Sequence, residues 1–159
     1  MTTLTQRSNA LLLIACSAPK LKGTHRAIDL YRGVMFDVLR KWMPHEGQPD
    51  VFILSAKHGL LHADTPTESY EQPMTRERAA TLMAQPLALE TFQGKRYSEA
   101  FIAGGRAYRA IALTYLDQLR EAGIVDPYGW VRMTEGGIGT QRGQLGEYLR
   151  GLGSPRGLP

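Results

Sequence analysis

The sequence predicts a single three-layer α/β domain whose mostly parallel sheet is covered by helices on both faces. Short apolar runs of strand length alternate with longer segments in which apolar residues recur every three or four positions. Each apolar run ends in a polar or glycine-rich loop, as strands do at the carboxyl edge of a parallel sheet. We expect this domain over residues 10–150 of the 159, between a flexible N-terminal segment at 1–9 and a flexible tail at 151–159.

The first predicted strand covers the apolar residues 10–15. An amphipathic helix is expected over about 26–43, because its apolar residues return at three- and four-residue spacing, and Pro44 ends it. A second strand is predicted at 50–54 and is followed by a long irregular stretch at 55–74. This order gives the strand–helix–strand pattern that places two parallel strands in one sheet.

The second half of the chain repeats the pattern. Thr75 is the predicted N-cap of a helix that Pro86 must kink or stop. A third strand at about 99–103 leads into an amphipathic helix that Gly123 caps. A final strand is predicted over residues 124–133, with an interruption near Pro127.

A glycine-rich run at 136–142 precedes a last helix that contains Leu145, Tyr148 and Leu149. This run is either a further phosphate contact or a plain helix start. The sequence alone leaves both interpretations open.

Charge and cysteine content restrict the class of protein. The formal net charge of +4 is compatible with contact to phosphate and equally with a solvated basic surface. One cysteine excludes an internal disulfide and a cysteine-based metal site, which suits a reducing compartment. The apolar run at 10–16 is far shorter than a membrane-spanning helix requires. We therefore expect a cytoplasmic protein that does not contact membranes.

The loop after the first strand carries Ser17 and Lys20 on either side of a proline. Because Pro19 fixes the backbone, the two side chains are predicted to bind one anion together. Ser17 could equally cap the next element of secondary structure. Cys16 is either a nucleophile or a packing residue, and packing is favoured because no base is evident.

The loop after the second strand is longer than most connections in a compact domain, which is typical of functional loops. Asp64 and Glu68 are its candidate catalytic carboxylates, for general-base work or for stabilising a cation. The alternative is a surface salt bridge with Lys57 or Arg76. His58 is expected to press against a ligand or a neighbouring backbone.

The loop after the third strand, Gly104-Gly105-Arg106, allows backbone amides to approach a ligand at a helix N-terminus. It matches neither the dinucleotide-binding fingerprint nor the phosphate-binding loop of nucleoside triphosphatases. Tyr108, one helical turn later, either stacks on a planar ligand or packs in the core.

Residues 17–20, together with Leu54-Ser55-Ala56-Lys57-His58-Gly59-Leu60-Leu61 and the following Tyr70 and Met74, resemble the YaaA-type peroxide-stress proteins and their compact relatives. The resemblance covers mainly residues 10–74. It implies a mixed α/β fold with a positively charged cleft and a role at DNA, in the protection or repair of damaged bases. The cleft residues that it implies are Ser17, Lys20, Ser55, Gly59 and Tyr70.

The chain departs from the YaaA-type pattern at Lys57 and His58, which stand where those proteins have an apolar residue and a tyrosine, and it is too short for their helix-hairpin-helix part. The expected function is cleavage of an N-glycosidic bond of a modified or damaged base in DNA or a nucleotide. The alternative is a non-catalytic DNA- or nucleotide-binding protein of the stress response.

In the expected mechanism Asp64 or Glu68 stabilises the sugar cation, Lys57 holds phosphate or polarises the departing base, and His58 stacks on it. The expected ligand-binding residues are Ser17, Lys20, Ser55, Gly59, Tyr70, Gly104, Gly105, Arg106 and Tyr108. No cofactor and no metal is expected, although His58, His62 and Asp64 are a weak alternative metal set. The sequence does not predict the oligomeric state.

Overall fold

The computed structural model describes residues 9–153. Its seven strands are β1 (Ala10–Ala15), β2 (Thr24–Arg26), β3 (Asp50–Ser55), β4 (Gly59–His62), β5 (Pro66–Glu68), β6 (Tyr97–Ala103) and β7 (Val125–Met133). Its α-helices are α1 (Ala27–Leu30), α2 (Val34–Trp42), α3 (Arg76–Ala84), α4 (Arg106–Glu121) and α5 (Ile138–Leu152), and a 3₁₀ helix covers Leu89–Phe92.

Five strands form the main sheet in the order β4-β3-β1-β6-β7. β3, β1, β6 and β7 are parallel, and β4 runs antiparallel to β3 at the edge. Ala15, Ser55 and Ala103 therefore end at the same carboxyl edge of the sheet. The remaining strands, β2 and β5, form a separate antiparallel pair.

The alternation of side chains along β1 divides the core into two halves. Leu11 and Leu13 belong to a buried cluster with residues of α3 and α4, whereas Leu12 and Ile14 belong to a second cluster with residues of α1, α2 and α5. Helices thus cover both faces of a mostly parallel sheet. The predicted three-layer α/β fold is confirmed.

The helix predicted over 26–43 is interrupted at 31–33, so that two helices, α1 and α2, stand in place of one. The chain leaves the helical conformation at Tyr31, whose ψ is 131°, and α2 begins only after the N-cap Gly33. Tyr31 instead bridges Lys20 in an antiparallel pair, and its side chain is fully buried. Tertiary pairing therefore overrides a periodicity that is typical of one continuous helix.

The predicted irregular stretch at 55–74 contains two short strands. β4 returns alongside β3, with Leu61 opposite Ile53, and β5 pairs with β2. The reversal begins at Gly59, whose φ of +71° is a conformation that glycine adopts most readily. The segment after Ser55 is therefore not a loop that stays at the carboxyl edge of the sheet. It forms a hairpin with β3 and runs back along that strand towards the amino edge.

The other predicted elements are present with small shifts of their ends. Thr75 caps α3 by accepting a hydrogen bond from the backbone N–H of Arg78, and β7 carries an irregularity near Pro127. The predicted flexible ends lie mostly outside the described residues, but α5 continues to Leu152, into the expected C-terminal tail. Among the described residues, no helix is both long and apolar enough to span a membrane.

Candidate binding site

A cavity of about 490 Å³ opens between the carboxyl ends of β1 and β6. From β1 the chain moves to β3 on one side and later enters the sheet at β6 on the other, so this is the point where the strand order reverses. Open α/β sheets bind ligands at this position. The switch-point cavity is lined by Ala15, Cys16, Ser17, Pro19, Gly33, Val34, Met35, Phe36, Ala103, Gly104, Gly105, Tyr108, Ile138 and Gln141.

Three helices begin at this cavity, and their N-caps are all glycines. Gly33 precedes α2, Gly105 precedes α4 and Gly137 precedes α5, and no side chain in the described part of the chain caps any of the three helices. By contrast, Thr75 caps α3. The first N–H groups of a helix need partners and carry partial positive charge. Three uncapped N-termini around one cavity favour an anionic ligand.

Ser17 has its hydrogen-bonding capacity largely used within the loop. Its Oγ accepts a hydrogen bond from Gly33 N at 3.0 Å and donates one to Pro19 O at 3.0 Å. A Cβ built on Gly33 would lie only 2.5 Å from Ser17 Cβ. Ser17 therefore holds the first loop against the start of α2, which is the structural role that the sequence left open.

Cys16 and Tyr108 face each other in the cavity, with Cys16 Sγ 3.4 Å from Tyr108 Oη. Burial, together with this contact to Cys16, raises the pKa of Tyr108. The phenol is therefore protonated at neutral pH. It presents an aromatic ring and a proton donor to the cavity.

Gln141, which sequence reasoning did not select as a site residue, closes the cavity together with a buried hydrogen-bond network. Gly104 N donates to Thr134 Oγ1 at 3.0 Å, Thr134 Oγ1 contacts Gln141 Oε1 at 3.0 Å, and Gln141 Nε2 donates to Gly136 O at 3.0 Å. Gly104 is buried, and its amide is occupied by Thr134. Of the predicted glycine pair, only Gly105 is exposed.

A second group of predicted residues meets at the carboxyl end of β3. The backbone N–H groups of Lys57 and His58 donate to Ser55 Oγ at 3.2 and 3.1 Å, which occupies both of its lone pairs. The Ser55 hydroxyl therefore donates to Tyr70 Oη at 2.6 Å, and Tyr70 Oη also lies 2.6 Å from Tyr31 Oη. We call Ser55, Tyr70 and Tyr31 the tyrosine cluster. The cluster has three hydroxyl protons but only two hydrogen bonds between its hydroxyl groups, so one phenol proton remains for an acceptor outside the cluster.

Cationic side chains surround the ring of Tyr70. Lys20 Nζ lies 4.6 Å and Lys57 Nζ 5.6 Å from the ring centre. The His58 ring meets Tyr70 edge-on at 5.3 Å. Burial raises the pKa of Tyr70, so its hydroxyl is a neutral hydrogen-bonding group at neutral pH. The structure thus brings together Lys20, Ser55, Lys57, His58 and Tyr70, as their positions in the sequence predicted.

The predicted carboxylates do not join this group. Because β4 runs back along β3, Asp64 lies near the amino end of β3, at the opposite edge of the sheet. There it forms an exposed ion pair with Arg26 at 3.3 Å, instead of with Lys57 or Arg76. Glu68 lies on β5 with its side chain exposed, and no hydrogen bond or ion pair to that side chain occurs within residues 9–153.

The other predicted residues have different surroundings. Gly59 is buried at the turn into β4, against Tyr115 and Leu82, so its role there is to shape the turn. Arg106 is the exposed first residue of α4.

His58 and His62 lie at opposite ends of β4, near opposite edges of the sheet, and His62 Nε2 contacts Asp50 Oδ1 at 2.9 Å. Throughout residues 9–153, no three His, Cys, Asp or Glu side chains are grouped closely enough to hold a metal ion.

The chain belongs to a family of unknown function, DUF6884, whose model matches residues 11–141. No curated protein and no solved structure matches the chain. Apart from Ala10, the matched range includes all five strands of the main sheet, and it includes every residue that lines the switch-point cavity. The match does not link the chain to the YaaA-type proteins, so that resemblance stays a prediction.

Proposed function

We propose that the switch-point cavity binds a nucleotide, free or within a nucleic acid, and that the protein acts on or sequesters this ligand. The observation that carries the proposal is the convergence of three helices with glycine N-caps on a cavity at the reversal of strand order. Their free N–H groups suit the phosphate, which carries negative charge and accepts several hydrogen bonds.

The lining of the same cavity suits a planar base. Val34 and Ile138 are exposed at its rim, 43% and 55% of their surface being accessible, and Met35 and Phe36 lie beside them. Large exposed apolar side chains around a cavity are typical of ligand-binding sites. Tyr108 adds an aromatic ring on which a base can stack.

Equilibrium titration of the protein with three small ligands tests this proposal. A nucleoside 5′-monophosphate should bind more tightly than the corresponding nucleoside, which lacks the phosphate, and more tightly than inorganic phosphate, which lacks the base. Equal affinities for the nucleotide and for inorganic phosphate would contradict a base-binding role. Absence of nucleotide binding would contradict the proposal altogether.

Between catalysis and binding alone, the lining favours binding. Among residues 9–153, no acidic side chain lines the switch-point cavity, and Asp64 lies at the other edge of the sheet, so none of these carboxylates is positioned to stabilise a sugar cation. Lys20, in the first loop beside this cavity, suits retention of a phosphate-bearing ligand without chemistry.

Cleavage of an N-glycosidic bond is the second candidate, and Tyr108 is the observation that favours it. Its phenol lines the cavity and can donate a hydrogen bond to a departing base. The test incubates the protein with DNA that carries assorted modified bases and with free nucleosides, and analyses released bases by mass spectrometry. Base release that Tyr108→Phe abolishes supports catalysis, and no release supports binding alone.

A further inference from the structure

We propose a second anion site, for a phosphate group, in a cavity between α3, the 3₁₀ helix and β4. The cavity has a volume of about 260 Å³. Its basic side chains are Lys57, His58 and Arg78, and we call it the basic cavity after these three residues. The existence of the site does not depend on the proposed function, but the expected source of the phosphate, a nucleotide or a nucleic-acid strand, does.

The basic cavity contains cationic groups and no counter-charge. No acidic side chain lines it, and none of the three residues forms an ion pair with a carboxylate within residues 9–153. Lys57 Nζ lies over the face of the Tyr70 ring. The like charges of Lys57 and Arg78 repel each other, so a bound anion would stabilise both cations and favour protonation of His58.

Arg78 is held so that its guanidinium stays in this cavity. Its Nε donates to Ala56 O and its Nη2 donates to Lys57 O, at the turn that follows β3. A guanidinium carries five N–H donors, so donors remain for an anion. Because two hydrogen bonds already fix the group, an anion would bind it at a small entropic cost.

The protonation state of His58 agrees with this arrangement. Burial, followed by the charges of Lys57 and Arg78, lowers its pKa. The other titratable groups that face it are the phenols of Tyr70 and Tyr115, and none of these neighbours is acidic. A phosphate bound beside His58 would offset the positive charges of Lys57 and Arg78 and should therefore raise the pKa of His58.

Lys57 lines the basic cavity, and its ammonium group lies over the same Tyr70 ring as that of Lys20, which follows the switch-point residues Ser17 and Pro19 in the first loop. The phosphate has two possible sources. It belongs either to the polyphosphate of a nucleotide whose base occupies the switch-point cavity, or to the neighbouring nucleotide of a strand. The two sources predict different ligands for the same site.

The experiment compares wild type with the double variant Lys57→Gln/His58→Gln, and Lys41→Gln is the matched control. Lys41 is exposed on α2, so its variant removes one positive charge away from both cavities. Thermal unfolding checks that the variants fold. The probes are inorganic phosphate, a nucleoside monophosphate, the corresponding triphosphate and an eight-nucleotide single-stranded DNA.

Inorganic phosphate should raise the pKa of His58 in wild type, measured from its imidazole resonances. The double variant should lose about tenfold in affinity for the triphosphate or for the DNA, whichever supplies the phosphate, with little change for the monophosphate. For the DNA, the slope of log affinity against log salt should fall by about 0.7 for each phosphate that the variant no longer neutralises. Lys41→Gln should bind all four probes as wild type does.

An unchanged titration of His58 with phosphate, together with equal affinities of wild type and double variant for every probe, would overturn the second site. The proposed function fails separately. If phosphate shifts the titration of His58 but no nucleotide binds better than inorganic phosphate, the second site stands and the proposed nucleotide site is wrong.

Discussion

Replacing Gly105 by aspartate would place a negative charge at the predicted phosphate position without disturbing the fold. Gly105 is the N-cap of α4, with φ −71° and ψ 173°, a backbone conformation that any residue adopts. No atom outside its immediate neighbours lies within 4 Å of a Cβ built on it. The variant Gly105→Asp should therefore fold, and its carboxylate should accept hydrogen bonds from the first N–H groups of α4.

The expected loss of affinity follows from Coulomb's law. A carboxylate about 6 Å from a bound phosphate, at an effective dielectric constant of about 20, costs about 3 kcal/mol per pair of unit charges, which is about a hundredfold in affinity. The new cap should raise the stability of the fold by only a few tenths of a kcal/mol. Binding and stability should thus change in opposite directions.

The assay is equilibrium titration with a nucleoside 5′-monophosphate, with thermal unfolding of the same samples. The matched control is Gly105→Asn, because asparagine caps the helix with the same shape and no charge. Asparagine should lower the affinity by less than about tenfold, since it competes for one or two N–H groups only. If the folded Gly105→Asp variant binds nucleotide as tightly as wild type, the phosphate does not lie at the N-terminus of α4.

Three further predictions concern the rest of the molecule. Burial of Asp50 acts to raise its pKa, but hydrogen bonds from Lys95, Tyr97 and His62 outweigh burial and lower this pKa. The variant Asp50→Asn should therefore lose about 2 kcal/mol of stability at pH 7. The difference in free energy of unfolding between wild type and this variant, measured in urea, should shrink as the pH falls. The loss begins below the pKa of Asp50 in the unfolded chain and continues through its lower pKa in the folded protein. Gly33→Ala should lower stability by about 2 kcal/mol, because its Cβ would lie 2.5 Å from a Cβ of the first loop, and a normal melting temperature would contradict this contact. Asp64→Ala and Glu68→Ala should each change stability by less than about 0.5 kcal/mol and leave nucleotide binding intact. Weakened binding in either variant would show that its carboxylate belongs to the binding site after all.

The sheet could be predicted because its information is local. β1 and β3 are short apolar runs, β6 ends in one, and the segments between them carry helical periodicity, so the order of elements restricts the topology. The break in the predicted first helix could not be found in this way. Tyr31 falls at a helical repeat position, and only its pairing with Lys20 and the N-cap Gly33 show that the chain is extended there.

The candidate site was predictable where residues directly follow a strand. Ser55 and Lys20 lie at the carboxyl edge because β3 and β1 end there. The predicted role of Asp64 depended on the segment after Ser55 staying at that edge. Instead β4 pairs antiparallel with β3, a long-range contact that the sequence pattern does not specify, and the hairpin carries Asp64 to the opposite edge.

The contribution of Arg78 and Gln141 was missed for a similar reason. Each lies within a helix, and it reaches its cavity only through tertiary packing: Arg78 by hydrogen bonds to the turn after β3, and Gln141 by its contact with Thr134. The glycine-rich run before α5 was the one available signal, and the sequence left its role open.

The central claim, that a nucleotide binds at the switch-point cavity, is tested most directly by mapping backbone amide NMR shifts during titration with a nucleoside 5′-monophosphate. We expect the largest shifts at the first amides of α2, α4 and α5, together with a change at the ring of Tyr108. Shifts confined to the opposite edge of the sheet, near Asp50 and Asp64, or no shifts at saturating ligand, would contradict it.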